Sequence, residues 1–328
     1  MYFNEIIKYF TKFNNIDYKS IIIFLTRGES RYKMFERLKL NIDFIIKGTL
    51  KTSGVIFSMI AILQSFISWG DMGIDNICYR IIILIVIVII SLITTSIYTL
   101  YAKNSRIVWK CGSRKIILRY SDIIKQGFRK KIKKEQIIVI PVNTCFDTIV
   151  DYDLAKSSKP LISPNTIHGQ WIKEMEKIGV YREEIDERIK KYIKEKNIKP
   201  TRVLSSEIKK QGNLLSYDYG TIVPIKVKEK VTFYLLALSE FDENNNAQCS
   251  IEDFINCIEK FVKFYNKNGQ GFEVYLPLMG TNLSRIGMSH EESLHKTKSI
   301  LELYNNHIYG EVNIVVYYKD KDKVSIFN

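Results

Sequence analysis

The sequence is poor in the residues that build disulfide frameworks and metal centres. Its 328 residues include only five cysteines, with no CxxC pair, and only four histidines, with no HExxH motif. An odd number of scattered cysteines excludes a disulfide framework and a cysteine-rich zinc site, and it is typical of a reducing compartment. The missing HExxH motif argues against metallohydrolase chemistry. We therefore expect neither a metal ion nor a resident cofactor.

Acidic residues are in the minority. Lysine and arginine number 49 against 35 aspartate and glutamate residues, which gives a formal net charge of +14. Such an excess is typical of proteins with an anionic partner: nucleic acid, acidic lipid or a phosphorylated small molecule. The densest basic run, residues 129–134, contains no aromatic side chain on which a base could stack. We interpret this run as a solvated surface and expect no nucleic-acid partner.

Two stretches, residues 52–70 and 81–102, contain no charged residue. At a rise of about 1.5 Å per residue, each is long enough to cross a hydrocarbon core of about 30 Å. A backbone in lipid must satisfy its own hydrogen bonds, so each stretch predicts a transmembrane helix. The alternative is a buried core helix followed by a buried strand, because the second stretch is rich in isoleucine and valine.

The flanking charges predict the orientation of this transmembrane hairpin. The connecting loop, residues 71–80, holds two aspartates and one arginine, whereas lysine and arginine are frequent in residues 37–51 and 103–119. Positive residues stay on the cytoplasmic side of a membrane. We therefore expect a multi-pass protein with both termini in the cytoplasm.

The hairpin divides the chain into three predicted parts. Residues 1–51 form a basic, amphipathic cytoplasmic segment without recognisable chemistry, and residues 52–102 hold the hairpin. Residues 103–328 alternate strand and helix patterns, with a buried strand at 137–142 and one long charged helix at about 170–196. This alternation predicts an α/β domain of three layers, in which helices flank a mixed sheet.

Loops that follow the predicted strands contain the candidate binding residues. Asn143 and Thr144 come directly after a buried strand, at the position where open α/β sheets bind ligands. The loop 280–287, between a strand and a capped helix, can offer backbone N–H groups and a helix dipole to a phosphate. It has neither the P-loop nor the GxGxxG spacing, so an ordinary glycine-containing turn is the alternative. Two further loops, 163–169 and 212–221, are weak signals when taken alone.

In this order, the loops resemble those of a macro domain, an α/β/α fold that binds ADP-ribose. Ser121-Asp122-Ile123 resembles the turn whose aspartate holds the adenine amino group, and the strand ending at Asn143 resembles the one that ends in an Asn-Ala-Ala-Asn motif. Residues 166–169 and 280–287 stand in the places of the two diphosphate loops. The resemblance assigns ligand contacts to Asp122, Ile123, Asn143, Thr144, Ile167, His168, Gly169, Gly280, Thr281, Asn282, Leu283, Ser284, Arg285 and Ile286.

A more specific resemblance rests on four segments taken together. They read VNT followed by FDT, then SPxxxHGQ, GNLxxYxxGT and PLxGTxLxRxG, and they lie behind two predicted transmembrane helices. This combination resembles the macro-domain effectors of type II Thoeris antiphage defence.

The resemblance implies a receptor rather than an enzyme. In that family, a TIR-domain partner makes an ADP-ribose-derived signal from NAD, which in type II systems is a histidine conjugate of ADP-ribose. The macro domain binds the signal, and assembled copies of the membrane helices then damage the inner membrane and stop growth, which is abortive infection. A homo-oligomer in the inner membrane is therefore implied.

Two other functions stay open. Some macro domains hydrolyse ADP-ribosyl bonds with an acidic residue that activates water. The segment 163–169 holds no carboxylate, whereas Asp147 lies near Asn143 and could serve, although its place in the Phe-Asp-Thr segment favours a structural role. His168 could be a base, a ligand contact or a hydrogen-bonded turn residue. A purely structural membrane scaffold is the third possibility, but it leaves the order of the four loops without a reason.

Overall fold

The chain forms two compact units. A computed structural model describes residues 31–101, 105–152, 161–207, 209–242, 245–281 and 286–327. The first unit holds the described residues up to 101 together with those from 321 onwards, and the second unit is Ser105–Asp320. The predicted α/β domain extended to residue 328, whereas residues 321–328 group with the N-terminal helices. The expectations for residues 1–30 lie outside the described part of the chain.

The first unit contains three helices: α1 (Arg31–Leu40), α2 (Ile42–Gln64) and α3 (Ile77–Tyr101). α2 and α3 pack against each other through small hydroxyl side chains, while most of their large apolar side chains are exposed. Thr49 in α2 and Thr95 in α3 are buried, and each hydroxyl donates to the carbonyl four residues earlier, at 2.8 Å. Both helices are long and apolar enough to cross a membrane, and only 17% and 11% of their apolar windows are buried. The second apolar stretch is therefore a helix and not a buried strand.

The bounds of these helices differ from the predicted spans. α2 begins at Ile42, upstream of the uncharged stretch, because charged residues end an apolar run without ending a helix. It stops at Gln64, and the next residues form turns in which the Ser68 N–H donates to the Asp71 carboxylate at 2.9 Å. An uncharged stretch thus marks the segment suited to lipid but not the ends of its helix.

The second unit is built on an eight-stranded mixed sheet and a separate strand pair. The strands are β1 (Ser105–Cys111), β2 (Arg114–Ser121), β3 (Gln136–Asn143), β4 (Arg202–Val203), β5 (Leu215–Ser216), β6 (Ile222–Lys228), β7 (Val231–Phe241), β8 (Ala247–Gln248), β9 (Glu273–Pro277) and β10 (Glu311–Tyr317). The order in the large sheet is β1-β2-β10-β9-β3-β7-β6, with β8 paired to β7, while β4 pairs with β5. The strands β2, β10, β9, β3 and β7 are mutually parallel, and β1, β6 and β8 are antiparallel to their neighbours. The carboxyl ends of the five parallel strands therefore meet at one edge.

Helices cover both faces of the sheet. They are α4 (Ile123–Gly127), α5 (Ile167–Lys177), α6 (Arg182–Glu195), α7 (Ile251–Asn268) and α8 (His290–Leu303). Successive residues of a strand point to opposite faces. In β7, the ring of Phe233 lies 5.8 Å from Trp171 of α5, whereas the ring of Tyr234 lies 5.3 Å from Phe264 of α7. The predicted three-layer α/β fold is confirmed, and burial on both faces explains the continuous apolar runs of its strands.

The predicted single helix over 170–196 is wrong. The segment forms α5 and α6, and the break lies at Gly179, whose φ is +84°. The N–H groups of Gly179 and Val180 donate to the carbonyls of Glu176 and Met175, both at 3.0 Å. Glycine adopts this left-handed conformation easily and ends the helix there. Charged residues are frequent on both sides of the break, which is why the segment suggested one long charged helix.

Candidate functional site

A cavity of about 490 Å³ opens at the carboxyl edge of the parallel strands. Each of the five strands contributes to its wall through a residue at or near its end: Ser121, Asn143, Ser239, Pro277 and Tyr317. Open α/β sheets bind their ligands at this edge, because the loops that leave the strands surround it. The cavity is therefore the candidate ligand site of the described α/β unit.

The structure brings together residues from all the predicted binding segments except 212–221. Seven of the predicted contacts line the cavity: Asp122, Ile123, Asn143, Ile167, His168, Gly280 and Thr281. Three others are described but are not part of its wall: Thr144, Gly169 and Ile286. The remaining four lie outside the described residues: Asn282, Leu283, Ser284 and Arg285.

Asp122 sits at the start of α4 and caps it. One carboxylate oxygen, Oδ1, accepts hydrogen bonds from the backbone N–H groups of Ile124 and Lys125, both at 3.1 Å. The other oxygen, Oδ2, lies 3.8 Å from the exposed ammonium of Lys125. The two oxygens have separate surroundings, so Asp122 can cap the helix with one and accept a hydrogen bond from a ligand with the other.

The first turn of α5 presents free backbone donors to the cavity. Thr166 caps this helix, and its hydroxyl accepts from the Gly169 N–H at 3.0 Å. The N–H groups of Ile167 and His168 come before the first intrahelical bond and have no acceptor among the described residues. A helix N-terminus carries a partial positive charge as well as these donors. This end of the cavity therefore suits an anionic group such as a phosphate.

Gly169 serves packing in this turn. A Cβ atom built on it would lie 2.2 Å from the Ser163 carbonyl oxygen and 2.9 Å from the Pro164 Cα. Only glycine allows the loop before α5 to fold this closely onto the first turn of the helix. Its position explains why the SPxxxHGQ segment contains a glycine without placing that glycine in the cavity wall.

His168 is a buried histidine at the wall of the cavity. Its side chain is only 6% exposed, and neither ring nitrogen has a hydrogen-bond partner among the described residues. Burial lowers the pKa of His168 to about 3, because a charged imidazole would lose its hydration. The ring is therefore neutral at physiological pH and keeps one donor and one acceptor at the cavity wall.

This buried histidine predicts that acid destabilises the protein. Unfolding returns the pKa of His168 to about 6.5, so the unfolded chain binds a proton that the folded chain excludes. Stability should rise from about pH 3 to about pH 6.5, with a slope of at most about 1.4 kcal/mol per pH unit from this group, and should not depend on it above that range. We expect His168→Gln to flatten the pH dependence of the thermal midpoint of the detergent-solubilised protein between pH 4.5 and 6.5. The exposed His295 offers a matched control, and an identical acid response in both variants would show that His168 is hydrated in the folded state.

Asp147 holds two loops together behind the site. It is completely buried and accepts from the Asn143 side-chain amide at 2.5 Å, from the Lys209 ammonium at 2.6 Å and from the Asn213 N–H at 2.6 Å. A buried carboxylate is costly unless it is paired and hydrogen-bonded, and these three donors stabilise its charge. Asp147 is not part of the described cavity wall. Its contacts fit the structural role that the Phe-Asp-Thr segment predicts.

Thr144 contributes to the same support. Its N–H donates to the Ser239 carbonyl at 2.8 Å, and its hydroxyl accepts from the Ser216 hydroxyl at 3.0 Å. These bonds connect the end of β3 to β7 and to β5. Thr144 therefore fixes the strand end that carries Asn143 and lies behind the cavity wall.

Gly280 forms the opposite wall, just after β9. Its φ is +83°, and a Cβ atom placed on it would lie 2.6 Å from the Met288 Cε and 3.2 Å from the Ile286 Cδ1. The backbone here runs against these two side chains on one side and the cavity on the other. This tight position requires glycine, as expected where a backbone approaches a ligand closely.

Sequence reasoning missed several residues of the cavity wall. They are Asn165, Asn245, Asn246, His290, Tyr317 and Asp320. The capping box of α8, in which Ser289 and Glu292 exchange hydrogen bonds, marks His290 as the first helical residue. The His290 Nε2 lies 3.8 Å from an Asp320 carboxylate oxygen, a contact between distant parts of the chain that no local pattern signals.

Comparison with known proteins places these residues in a sequence family. The family described as Thoeris protein ThsA, Macro domain, matches residues 116–317. A Thoeris protein ThsA from Bacillus amyloliquefaciens (strain Y2) is 27% identical over 237 residues, which are 70% of this chain and 69% of that protein. Among solved structures, a mutant macrodomain of Oceanobacillus iheyensis covers 66% of this chain and 95% of its own, with 9% identity and a TM-score of 0.32. The family match begins within β2 and ends at the last residue of β10, so it includes all five strand ends of the cavity.

Proposed function

Because the chain belongs to the Thoeris protein ThsA macro-domain family, we propose that it is an antiphage effector that senses an ADP-ribose-derived signal and then disrupts the inner membrane. The Thoeris context implies that a TIR-domain protein makes this signal. The observation that carries the proposal is the presence, in one chain, of two largely exposed apolar helices and a cavity whose wall includes a helix N-terminus with backbone donors. A ligand site alone would fit many macro domains, whereas the apolar hairpin supplies a target for the signal.

The proposed binding mode follows the chemistry of the cavity wall. Asp122 Oδ2, which does not cap α4, accepts from the adenine amino group, and the first turn of α5 donates its two backbone N–H groups to the diphosphate. The neutral His168 adds a hydrogen bond without adding charge. The group attached to the distal ribose, which for this family is a histidine, then lies toward the end of β3 at Asn143.

The residues of the cavity favour binding over hydrolysis. The only carboxylates in its described wall belong to Asp122 and Asp320. Asp122 caps α4, and Asp320 is engaged near His290. A general base works best with a pKa near the operating pH, and burial lowers that of His168 far below it. We therefore propose a receptor, with a membrane-tethered ADP-ribosyl hydrolase as the outcome that would replace it.

Signal binding acts on the membrane through the helices of the first unit. α2 and α3 bury small hydroxyl side chains between them and expose large apolar ones. In lipid, such helices associate through close packing and interhelical hydrogen bonds rather than through the hydrophobic effect. We propose that liganded chains assemble as homo-oligomers through these helices, disrupt the inner membrane and cause abortive infection.

Titration of the full-length protein in detergent tests the sensing step. The probes are ADP-ribose, its histidine conjugate and NAD, followed by calorimetry and by chromatography of the recovered ligand. We expect saturable binding of the two ADP-ribose compounds, weaker binding of NAD and complete recovery of intact ligand. Absence of saturable binding by either ADP-ribose compound rejects the proposal. Release of a cleaved product with turnover replaces it by hydrolysis.

The two exposed cysteines test the proposed orientation. Cys78 lies at the start of α3 next to the connecting loop, and Cys111 lies at the end of β1 in the α/β unit. With both termini in the cytoplasm, a membrane-impermeant thiol reagent applied to intact cells should label Cys78 and not Cys111. The Cys78→Ser variant should lose the label and Cys111→Ser should keep it. Labelling of Cys111 and not Cys78 would show that the hairpin has the opposite orientation.

A further inference from the structure

The last residues of the chain pack against the membrane helices. Residues 321–327 belong to the same compact unit as α1, α2 and α3. Within this C-terminal segment, Val324 and Ile326 have no exposed surface and Ser325 is only 4% exposed. Burial of three successive side chains identifies a specific docking contact rather than a free end.

Specific contacts fix the C-terminal segment at one end of the hairpin. The Ser325 hydroxyl donates to the Asn41 side-chain oxygen at 2.5 Å, and Asn41 is the buried residue between α1 and α2. The ring of Phe327 lies 4.8 Å from Phe44 in α2, and Phe44 in turn lies 6.3 Å from Tyr98 in α3. The segment therefore contacts the start of α2, whose Phe44 packs near the end of α3, opposite the loop that connects the two helices.

The C-terminal segment directly follows residues that line the ligand cavity. Tyr317, the last residue of β10, and Asp320, at the end of the following turn, both line the cavity wall. Only Lys321, Asp322 and Lys323 separate Asp320 from the buried Val324. Residues 321–323 form turns, and even fully extended residues span at most about 3.6 Å each, so the link has a short maximum reach.

The other covalent connection between the two units does not follow residues of the described cavity wall. It runs from Tyr101 at the end of α3 to Ser105 at the start of β1. β1 is an edge strand, and none of its residues is in the described cavity wall. Of the two covalent connections, the C-terminal one alone joins the ligand site directly to the membrane helices.

We infer that the C-terminal segment transmits occupancy of the cavity to the membrane helices. The inference rests on the proposed function, since it names the regulation of that same site. A ligand that contacts Tyr317 and Asp320 differently in two arrangements of the turn shifts the population between them. Through the short link, that shift changes the positions of Ser325 and Phe327, which contact Asn41 and Phe44. Coupling of this kind is a free energy between two sites. A short link that is held at both ends can carry it, because a movement at the cavity then reaches the helices.

An insertion in the link tests the inference in the full-length protein. Gly-Ser-Gly-Ser placed between Lys321 and Asp322 lengthens the link. It changes neither the cavity wall nor Ser325 and Phe327, which contact the helices. The matched control is the same insertion between Gly112 and Ser113, in the turn between β1 and β2. The proteins are reconstituted in lipid vesicles that contain a trapped dye, and ADP-ribose and its histidine conjugate are the probes.

The link insertion should separate binding from membrane disruption. We expect unchanged affinity in both insertion variants, with ligand-triggered dye release reduced about tenfold or more in the link variant and unchanged in the control. Hydrogen exchange gives a second readout, because residues 324–327 of the wild-type protein should change protection on ligand binding and those of the link variant should not.

The possible failures point to different steps. The coupling role is overturned if the link variant releases dye as the wild-type protein does. It is also overturned if ligand binding leaves hydrogen exchange at residues 324–327 of the wild-type protein unchanged. In both cases the sensing function stands. Failure of both ADP-ribose compounds to bind the wild-type protein overturns the proposed function and the coupling role with it. Binding and an exchange response without dye release supports the coupling and rejects the membrane-disrupting activity.

Discussion

Replacing Gly280 with alanine should abolish tight binding of the ADP-ribose compounds. The new Cβ atom would lie 2.6 Å from the flexible end of Met288 and 3.2 Å from the Ile286 Cδ1, so both side chains behind the cavity wall must shift. The backbone at φ +83° is also unfavourable for any residue with a Cβ atom. We expect the affinity to fall on the order of a hundredfold, which corresponds to about 2.7 kcal/mol of binding free energy. Calorimetric titration of the full-length variant measures this loss.

Gly287 is the matched control for this substitution. Its φ is +77°, close to that of Gly280, but a Cβ atom placed on it meets no atom of the described residues within 4 Å. Alanine at either position therefore has a similar conformational cost, about 1–2 kcal/mol, and only Gly280→Ala adds the clash at the cavity wall. Gly287→Ala should bind the ligand as the wild-type protein does, with a modest loss of thermal stability.

The same pair of variants connects binding to the effect in cells. Gly280→Ala should insert in the membrane yet lose the toxicity that depends on the signal, while Gly287→Ala should keep it. If both variants bind and kill as the wild type does, the turn at Gly280 has no contact with the ligand and the assignment of this wall is wrong.

Much of the α/β unit could be predicted because its strands are buried on both faces. A run such as residues 137–142 is apolar throughout, so it marks a central strand and also the position of its carboxyl end. The resemblance to a macro domain assigned ligand contacts to both Asn143 and Gly280, and both line one cavity because parallel strands place their carboxyl ends at one edge. The apolar pattern predicted where strands end, and the resemblance predicted which of those ends meet at the ligand site.

Other features depend on contacts between distant residues and have no local signal. The docking of Ser325 on Asn41 joins residues from opposite ends of the described chain, and the approach of His290 to Asp320 joins α8 to the turn after β10. The break at Gly179 was hidden because charged residues are frequent in both α5 and α6, so the segment suggested one long charged helix. In each case, the three-dimensional contact decides the structure and the sequence pattern allows more than one outcome.

Asp122 combines two roles that the sequence motif does not distinguish, the capping of a helix and the proposed contact with adenine. The aspartate of the Ser121-Asp122-Ile123 turn resembles an adenine-binding residue, and the structure also makes it the N-cap of α4. A substitution by alanine removes both contacts and cannot distinguish between them. Asparagine can, because its single side-chain oxygen caps a helix about as well as that of aspartate.

Asp122→Asn should therefore weaken ligand binding without weakening the fold. The retained oxygen accepts from the Ile124 and Lys125 N–H groups, while the amide group that replaces Oδ2 can only donate. An adenine amino group facing another donor is left unpaired, at a cost of roughly 1–3 kcal/mol, so we expect about a tenfold to hundredfold loss of affinity. Titration with ADP-ribose and thermal melting of the same full-length sample measure the two quantities separately.

Asp122→Ala completes the test. It should lose a similar amount of ligand affinity and, in addition, about 1 kcal/mol of stability from the missing cap. The salt bridge to Lys125 adds little to this loss, since the lysine side chain is 74% exposed and surface ion pairs are weak. If Asp122→Asn binds ADP-ribose with wild-type affinity and only Asp122→Ala lowers the melting temperature, Asp122 is a helix cap alone and adenine lies elsewhere in the cavity.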